Sequence, residues 1–497
     1  MESRFLYLII LIFSYILNYI SSKVTVLSPK ALKNKFTNPI KASYSNFGKI
    51  PYGFTLHGRV YFDPDNVDIE QACKSLSNTS FKIPKDHKIN ESPVVMIDRG
   101  NCNFVDKVKR VENIGGLVAL IIDNNAGEDP TRVIMSDDEM RHGENIRIPA
   151  LLISKEDGTI LEEFYREHKD NPKMLEKIIL EIEFVMEHPS NHVSYSFIYS
   201  SENFNIYKIF RELRHFTLYH SDIRNMTTFL PYFATNSVYQ EGQDNKTVEN
   251  CYSSGRYCAS PRLDLNITDG RFILKQNLFQ KCIYKFAYGK WNETVTDIGD
   301  SRTIFWNYID AFYDNCIGNN TMAKEFNEAC TARTLHQLNI NTADVYACIF
   351  SSFGFHSSFP DSNIETSFTI TPNKIFEADK EIIKSHKVRL IPTILINNRT
   401  FWGNWNGENV FEAICAGFRT KPQVCYDEGG FSKEVNTGMS NTTLAIIIIL
   451  VISVNIVIFI LCRKYIKKKI SDKVEDTEIN LKINTVVTSY LALKETK

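Results

Sequence analysis

Arg99-Gly100-Asn101-Cys102 is the stretch whose residue types best fit a chemical task. It follows the apolar run Pro93-Val94-Val95-Met96-Ile97-Asp98, so a cation, an amide and a thiol stand in a tight turn at a strand end. A guanidinium can clamp a carboxylate or carbonyl with two parallel donors, and a turn leaves backbone groups to hold an extended peptide. Alternatively, Arg99 pairs with Asp98 or another residue of its own domain and braces the loop. Either role is recognition or support, not bond making. The sequence has no Cys-x-x-Cys, no His-Glu-x-x-His and no Gly-x-Ser-x-Gly, which leaves thiol exchange, zinc peptidase and serine hydrolase chemistry without their groups. Cys251 and Cys258, with six residues between them, read as structural. The histidines, such as His142, His188 and His386, stand singly and suggest no metal site, although some could serve an acid switch. No catalytic residue, metal or cofactor is expected.

A second motif lies at the far end. Tyr490-Leu491-Ala492-Leu493 has the Tyr-x-x-Leu spacing that docks in strand-like form on a clathrin adaptor, with Tyr490 and Leu493 as the sorting signal. For that role the tail must be cytosolic. Residues 444–462 are apolar with one Asn and no charge, long enough for a transmembrane helix, and Arg463 to Lys469 follows them directly. The positive-inside rule puts the tail, 463–497, in the cytosol and the N-terminal part in the lumen, a single-pass type I arrangement. Residues 1–22 read as a signal peptide.

Ten of the eleven cysteines lie between the two apolar segments: Cys73, Cys102, Cys251, Cys258, Cys282, Cys316, Cys330, Cys348, Cys415 and Cys425. An even set on the oxidising side implies disulfides, with the pairing open. Nine glycosylation sequons, at Asn78, Asn90, Asn225, Asn245, Asn266, Asn292, Asn319, Asn398 and Asn441, fall on the same side. Lys and Arg number 57 against 58 Asp and Glu, and no basic block occurs outside the tail. A nucleic-acid partner has no electrostatic footprint here.

The elements that must position Arg99 are α/β. The run 93–98 reads as a buried strand. Phe104 to Asn113 places Phe104, Val105, Val108 and Val111 near one helical face and stops at Gly115-Gly116. Leu117 to Ile122 and Ile148 to Ile153 are further buried strands, and a helix begins near Lys155. The string Asp98 to Phe104 with Lys107, then Asn113-Ile114-Gly115-Gly116, Ala119 to Asp123 and Ile148-Pro149-Ala150, resembles a protease-associated (PA) domain over residues 49–187. With Cys after Arg-Gly-Asn it looks most like the PA domain of plant-type vacuolar sorting receptors. That resemblance implies that Cys73 pairs with Cys102. It also implies that Arg99, Gly100, Asn101 and Cys102 line the groove for a cargo sorting peptide, with Asn101 standing where Asp is common.

Residues 188–430 hold eight of the ten cysteines and resemble the central region of the same receptors, string by string, from Asn250-Cys251 through Gln276-Asn277-Leu278 and Trp306 to Cys415 and Cys425. Ile391-Pro392-Thr393, leading into an apolar strand, Phe401-Trp402-Gly403 and a helix from about Asn409, resembles the cis-proline half of a thioredoxin fold. Without paired thiols it reads as a binding or spacer scaffold. Plant members carry EGF-like repeats before the membrane. Here about eighteen residues separate Cys425 from Leu444, and the repeats are missing. The resemblance implies a cargo receptor that binds sorting peptides of soluble proteins in the Golgi and endosomal system and delivers them to a vacuole, lysosome or granule. A membrane-tethered folding factor with a PA substrate module is the alternative.

Overall fold

The apolar runs read as buried strands are buried on both faces, and they belong to a closed barrel. In the computed structural model the barrel comprises β1 (Lys23–Ser28), β2 (Ile40–Tyr44), β3 (Thr55–Tyr61), β4 (Ser92–Asp98), β5 (Val118–Ile122), β6 (Ala150–Ile153) and β7 (Ile179–Glu183), in the spatial order β1-β2-β6-β5-β4-β3-β7. The structure describes residues 23–431 apart from 64–70, 77–82, 84–90, 138–141, 187, 219, 243, 264–265, 290–297, 319–324 and 358–361, together with 460–461, 463–464, 477 and 481–485.

Strands β3 to β6 run parallel, and the remaining pairings are antiparallel. Side chains alternate between two cores, as the strand period of two requires. Val94 and Met96 of β4, with Val118, Leu120, Leu151 and Ile153, join the larger core. Val95, Ile97, Ala119, Ile121, Ala150 and Leu152 face a second core capped by Val105, Val108 and Val111 of helix α1 (Phe104–Asn113). With no face left to water, the runs have no polar alternation. Helix α2 (Lys155–Glu167) follows β6, capped by the Ser154 side chain accepting from the Asp157 amide. The barrel begins at Lys23, ahead of the expected module edge at Lys49, because β1 and β2 are needed to bridge β6 to β7.

The second module is built on a four-stranded sheet, β13-β12-β8-β9, of β8 (Val193–Tyr199), β9 (Thr227–Phe233), β12 (Thr393–Ile396) and β13 (Arg399–Thr400). Between β9 and β12 lies the two-stranded β10 (Cys251–Tyr252) and β11 (Tyr257–Cys258) ribbon. Helix α3 (Phe204–Leu218) crosses between the parallel pair β8 and β9 and buries Ile206, Ile209, Phe210 and Leu213, a helical stripe. The other helices of ten or more residues are α4 (Gly270–Gly289), α5 (Ile298–Phe312), α6 (Glu328–Gln337), α7 (Thr342–Ser352), α8 (Lys374–Ser385) and α9 (Gly407–Ala416). The Ile391-Pro392 peptide is cis. Five disulfides join Cys73–Cys102, Cys251–Cys258, Cys282–Cys348, Cys316–Cys330 and Cys415–Cys425.

Both modules lie in one compact unit ending at Phe431. They interlock through Asn404, whose amide donates to Gly48 O at 2.8 Å and whose side chain accepts from Gly48 N at 2.8 Å and donates to Ile146 O at 3.0 Å. Gly48 is required there, since a Cβ would meet Ile148 O at 2.4 Å. Of the second unit, 432–497, only short helical stretches are described. The signal segment, most of the apolar run 444–462, Cys462, Tyr490 and Leu493 lie outside the described residues. Among the described residues no helix is long and apolar enough to cross a membrane.

Candidate functional site

The Arg99 turn sits where the register of β4 and β5 puts it. Asp98 pairs with Ile122 across the parallel strands, so Arg99 and Asp123 leave the barrel side by side at the carboxyl ends of β4 and β5. The Arg99 amide donates to Ile122 O at 2.9 Å. Its Nη1 donates to Asp123 Oδ1 at 2.9 Å, lies 3.8 Å from Glu128 Oε2, and the guanidinium stands 5.8 Å from the Phe104 ring centre. Asp123 is fully buried while the Arg99 side chain keeps 27% exposure. The bracing role is therefore present, with Asp123 as partner in place of Asp98. Among the described residues, Arg99 Nε and Nη2 have no hydrogen-bond partner, so one side of the fork remains for a ligand.

Gly100 has φ +123° and Asn101 has φ +62°, the backbone that turns the chain out of β4. A Cβ on Gly100 would approach only Asn124 Nδ2, at 3.7 Å, so glycine serves conformation here and not clearance. Asn101 is exposed, and its amide nitrogen donates to the Gln71 side-chain oxygen. Cys102 closes the turn through its disulfide to Cys73, the pairing the resemblance implies.

Behind the turn lies Lys107. It is fully buried, with Nζ donating to Gln71 O and lying 3.4 Å from Cys73 Sγ, while Arg110 Nη1 donates to Ala72 O at 3.2 Å. Burial lowers the Lys107 ammonium pKa to about 8, against the pull of the Asp98 carboxylate. The sequence marks Lys107 only as a motif position. Its role as the post that holds segment 71–73 against the turn depends on contacts more than thirty residues away.

The thioredoxin-like module lacks thiols where such a fold would use them. The turn from β8 into α3 reads Ser200-Ser201-Glu202-Asn203. It is held by α4, through Ser201 N donating to Asn277 Oδ1 at 2.8 Å and a buried chain from Gln280 to Tyr207 OH, at 2.7 Å, and on to Ser201 O, at 3.0 Å. All ten cysteines from Cys73 to Cys425 are paired. The histidines are not all solitary, because His220 Nε2 lies 3.2 Å and His215 Nε2 3.8 Å from the Glu428 carboxylate. That exposed cluster could accept a metal ion, a grouping the spacing of these residues in the sequence does not reveal. Of the nine sequons, Asn225, Asn245, Asn266 and Asn398 are described and all are exposed, while the other five lie outside the described residues.

Residues 66–161 match the PA domain, and residues 210–415 match the vacuolar sorting receptor thioredoxin-like domain. Vacuolar-sorting receptor 6 of Arabidopsis thaliana is 26% identical over 431 residues, covering 81% of this chain and 60% of that protein. Vacuolar-sorting receptor 1 of Pisum sativum is 26% identical over 425 residues, with the same coverage of 81% and 60%. The chain thus spans about three-fifths of the length of these relatives. Among solved structures, an aminopeptidase from Aneurinibacillus sp. strain AM-1 is 15% identical over 33% of this chain and 30% of its own, and its TM-score of 0.20 carries no argument about fold or activity. The chain joins a PA domain to the thioredoxin-like domain of vacuolar sorting receptors in one polypeptide, and it is a relative of that family.

Proposed function

We propose that this chain is a non-enzymatic type I membrane receptor that binds sorting peptides of soluble secretory proteins and carries them to a vacuole, lysosome or granule-type compartment. The observation that carries the reading is the half-used guanidinium fork of Arg99. One nitrogen is anchored on buried Asp123 and the others are unpartnered, beside the exposed Asn101 turn. An anchored fork loses little freedom when it takes a peptide carbonyl or carboxylate. Gly100 and Cys102 act by shaping the turn. Tyr490 and Leu493 couple the receptor to a clathrin adaptor from the cytosolic tail, the single span being 444–462. The names of the relatives support the cargo role, and the serine, glutamate and asparagine at the β8–α3 turn leave thiol exchange without its nucleophile.

Capture of soluble proteins from a lysate of the same cells tests this, using the full-length chain in detergent at about pH 7 and about pH 5, a window spanning the ordinary histidine range. Retention of hydrolases or granule proteins at the higher pH, lost in Arg99→Ala, is the expected result. Capture that ignores Arg99 and leaves mixed disulfides would replace the receptor with a folding factor.

A further inference from the structure

Two imidazoles and a carboxylate converge on the thioredoxin-like module from three separately held pieces of chain. His215 stands in the last turn of α3. His220 is the N-cap of the short helix Ser221–Met226, and Glu428 is the C-cap of the short helix Gln423–Asp427. Glu428 Oε1 lies 3.2 Å from His220 Nε2 and Glu428 Oε2 lies 3.8 Å from His215 Nε2, and one ligand atom from each of the three residues falls within 4.8 Å of the others. Nitrogen and oxygen donors held at about 2.0–2.1 Å around one tetrahedral zinc ion stand about 3.4 Å from each other. The two measured separations straddle that value, so small side-chain rotations bring all three donors onto one ion. The imidazole rings meet edge to face at 89°, with centres 6.0 Å apart, and do not stack.

The three positions are fixed by contacts that do not use the three side chains. Phe216 stacks on Phe411 of α9 with ring centres 4.3 Å apart, which holds the end of α3. The Cys415–Cys425 disulfide ties the helix Gln423–Asp427 to α9, and Val424 N donates to Asp222 Oδ2 at 3.3 Å, joining that helix to Ser221–Met226. Ligands carried on braced elements lose little freedom when an ion arrives. Side-chain exposures of 64% for His215, 30% for His220 and 33% for Glu428 give an ion a path from solvent and leave its fourth position to water. The donor set also selects the ion. Two imidazoles and one carboxylate suit zinc and its borderline neighbours, whereas calcium and magnesium require oxygen ligands.

We propose that His215, His220 and Glu428 form a site for a single zinc-class divalent ion. A bound ion ties the end of α3 to the last helix described in the compact unit, close to that unit's end at Phe431. The site uses none of the residues assigned to cargo or to the sorting signal, so it stands or falls apart from the receptor reading.

The test is calorimetric titration of the untagged full-length chain in detergent, first stripped with a chelator, with Zn²⁺ and in parallel with Ca²⁺ and Mg²⁺. Thermal melts accompany each titration. One Zn²⁺ per chain should bind and raise the melting midpoint, and an excess of Ca²⁺ or Mg²⁺ should not displace it. His215→Ala, His220→Ala and Glu428→Gln should each weaken Zn²⁺ binding about tenfold or more, since losing even an indirect partner of a metal ligand costs that much. His57→Ala should bind Zn²⁺ as wild type does, because His57 faces Glu181 at 3.1 Å in an exposed pair with no third donor among the described residues. Absence of Zn²⁺ binding overturns the proposal. Equal binding by the wild type and all three cluster variants overturns it by placing the ion elsewhere, as does a loss in His57→Ala as large as theirs. Displacement by Ca²⁺ overturns it by showing an oxygen-ligand site.

Discussion

Arg99 and Lys107 are two cations with opposite duties at one turn. Arg99 is partly exposed, at 27%, and anchored, whereas Lys107 is buried and directs its ammonium to Gln71 O and the Cys73 sulfur. Arg99→Lys keeps a charge for Asp123 but loses the fork, so we expect cargo capture to fall at least about tenfold while stability changes by about 1 kcal/mol or less. Binding assays beside thermal melts check this. Lys107 yields a pH prediction. Its folded pKa, about 8, lies below the ordinary lysine value of 10.5. Between those values the unfolded chain therefore holds more protons than the folded one, and its contribution to stability rises with pH across that window. Below about pH 8 the full cost of the buried charge is present. Relative to Lys107→Met, wild type should gain stability between about pH 8 and pH 10. A difference between the two melting curves that is flat across that range would contradict the assignment.

At the scale of elements, the cation at risk is Lys281 on α4. Its Nζ donates to Asp379 Oδ1 on α8 at 2.7 Å and to Pro231 O on β9 at 2.6 Å, and Asp379 Oδ2 accepts from Phe233 N at 2.9 Å. Burial pushes the Lys281 pKa down and the Asp379 pKa up, each against the pull of the other's charge. The pair ties two helices to one strand, and either ion alone is costly. Asp379→Asn should destabilise the chain by about 3–5 kcal/mol, since it strands the ammonium, while Lys281→Met combined with Asp379→Asn should recover part of that loss. Denaturant midpoints of the two variants decide it, and equal losses would mean that the charges are not coupled. The same logic of neighbouring elements explains Arg99, because β4 and β5 are parallel and in register and their exits present a cation beside a carboxylate.

For the whole molecule the decisive contact is the interlock of Asn404 with Gly48 and Ile146. Asn404→Ala would leave the buried Gly48 amide and the Ile146 carbonyl without partners, at a cost of about 1–3 kcal/mol each. We expect lowered thermal stability and faster proteolytic cleavage between the modules, with the five disulfides intact.

Local pattern determined much of this protein. Continuous apolar runs marked β4 to β6 because those strands are buried on both faces, and α1 falls over Phe104–Asn113 as its 3.6-residue stripe requires. The motif strings carried the PA and thioredoxin-like assignments, and the absence of a Cys-x-x-Cys is plain from the residues alone. Tertiary structure decided what depends on distant partners. Asp123, and not the adjacent Asp98, holds Arg99, because strand register sets which exits meet. The barrel recruits β1 and β2, which a reading starting at Lys49 leaves out. Four of the five disulfide pairings were open, since cysteine spacing does not encode which helices pack. The cavity of about 610 Å³ between the modules could not be read at all from the sequence. Its walls lie more than two hundred residues apart, and only the packing of one folded module on the other brings Ile134 to face Ile391.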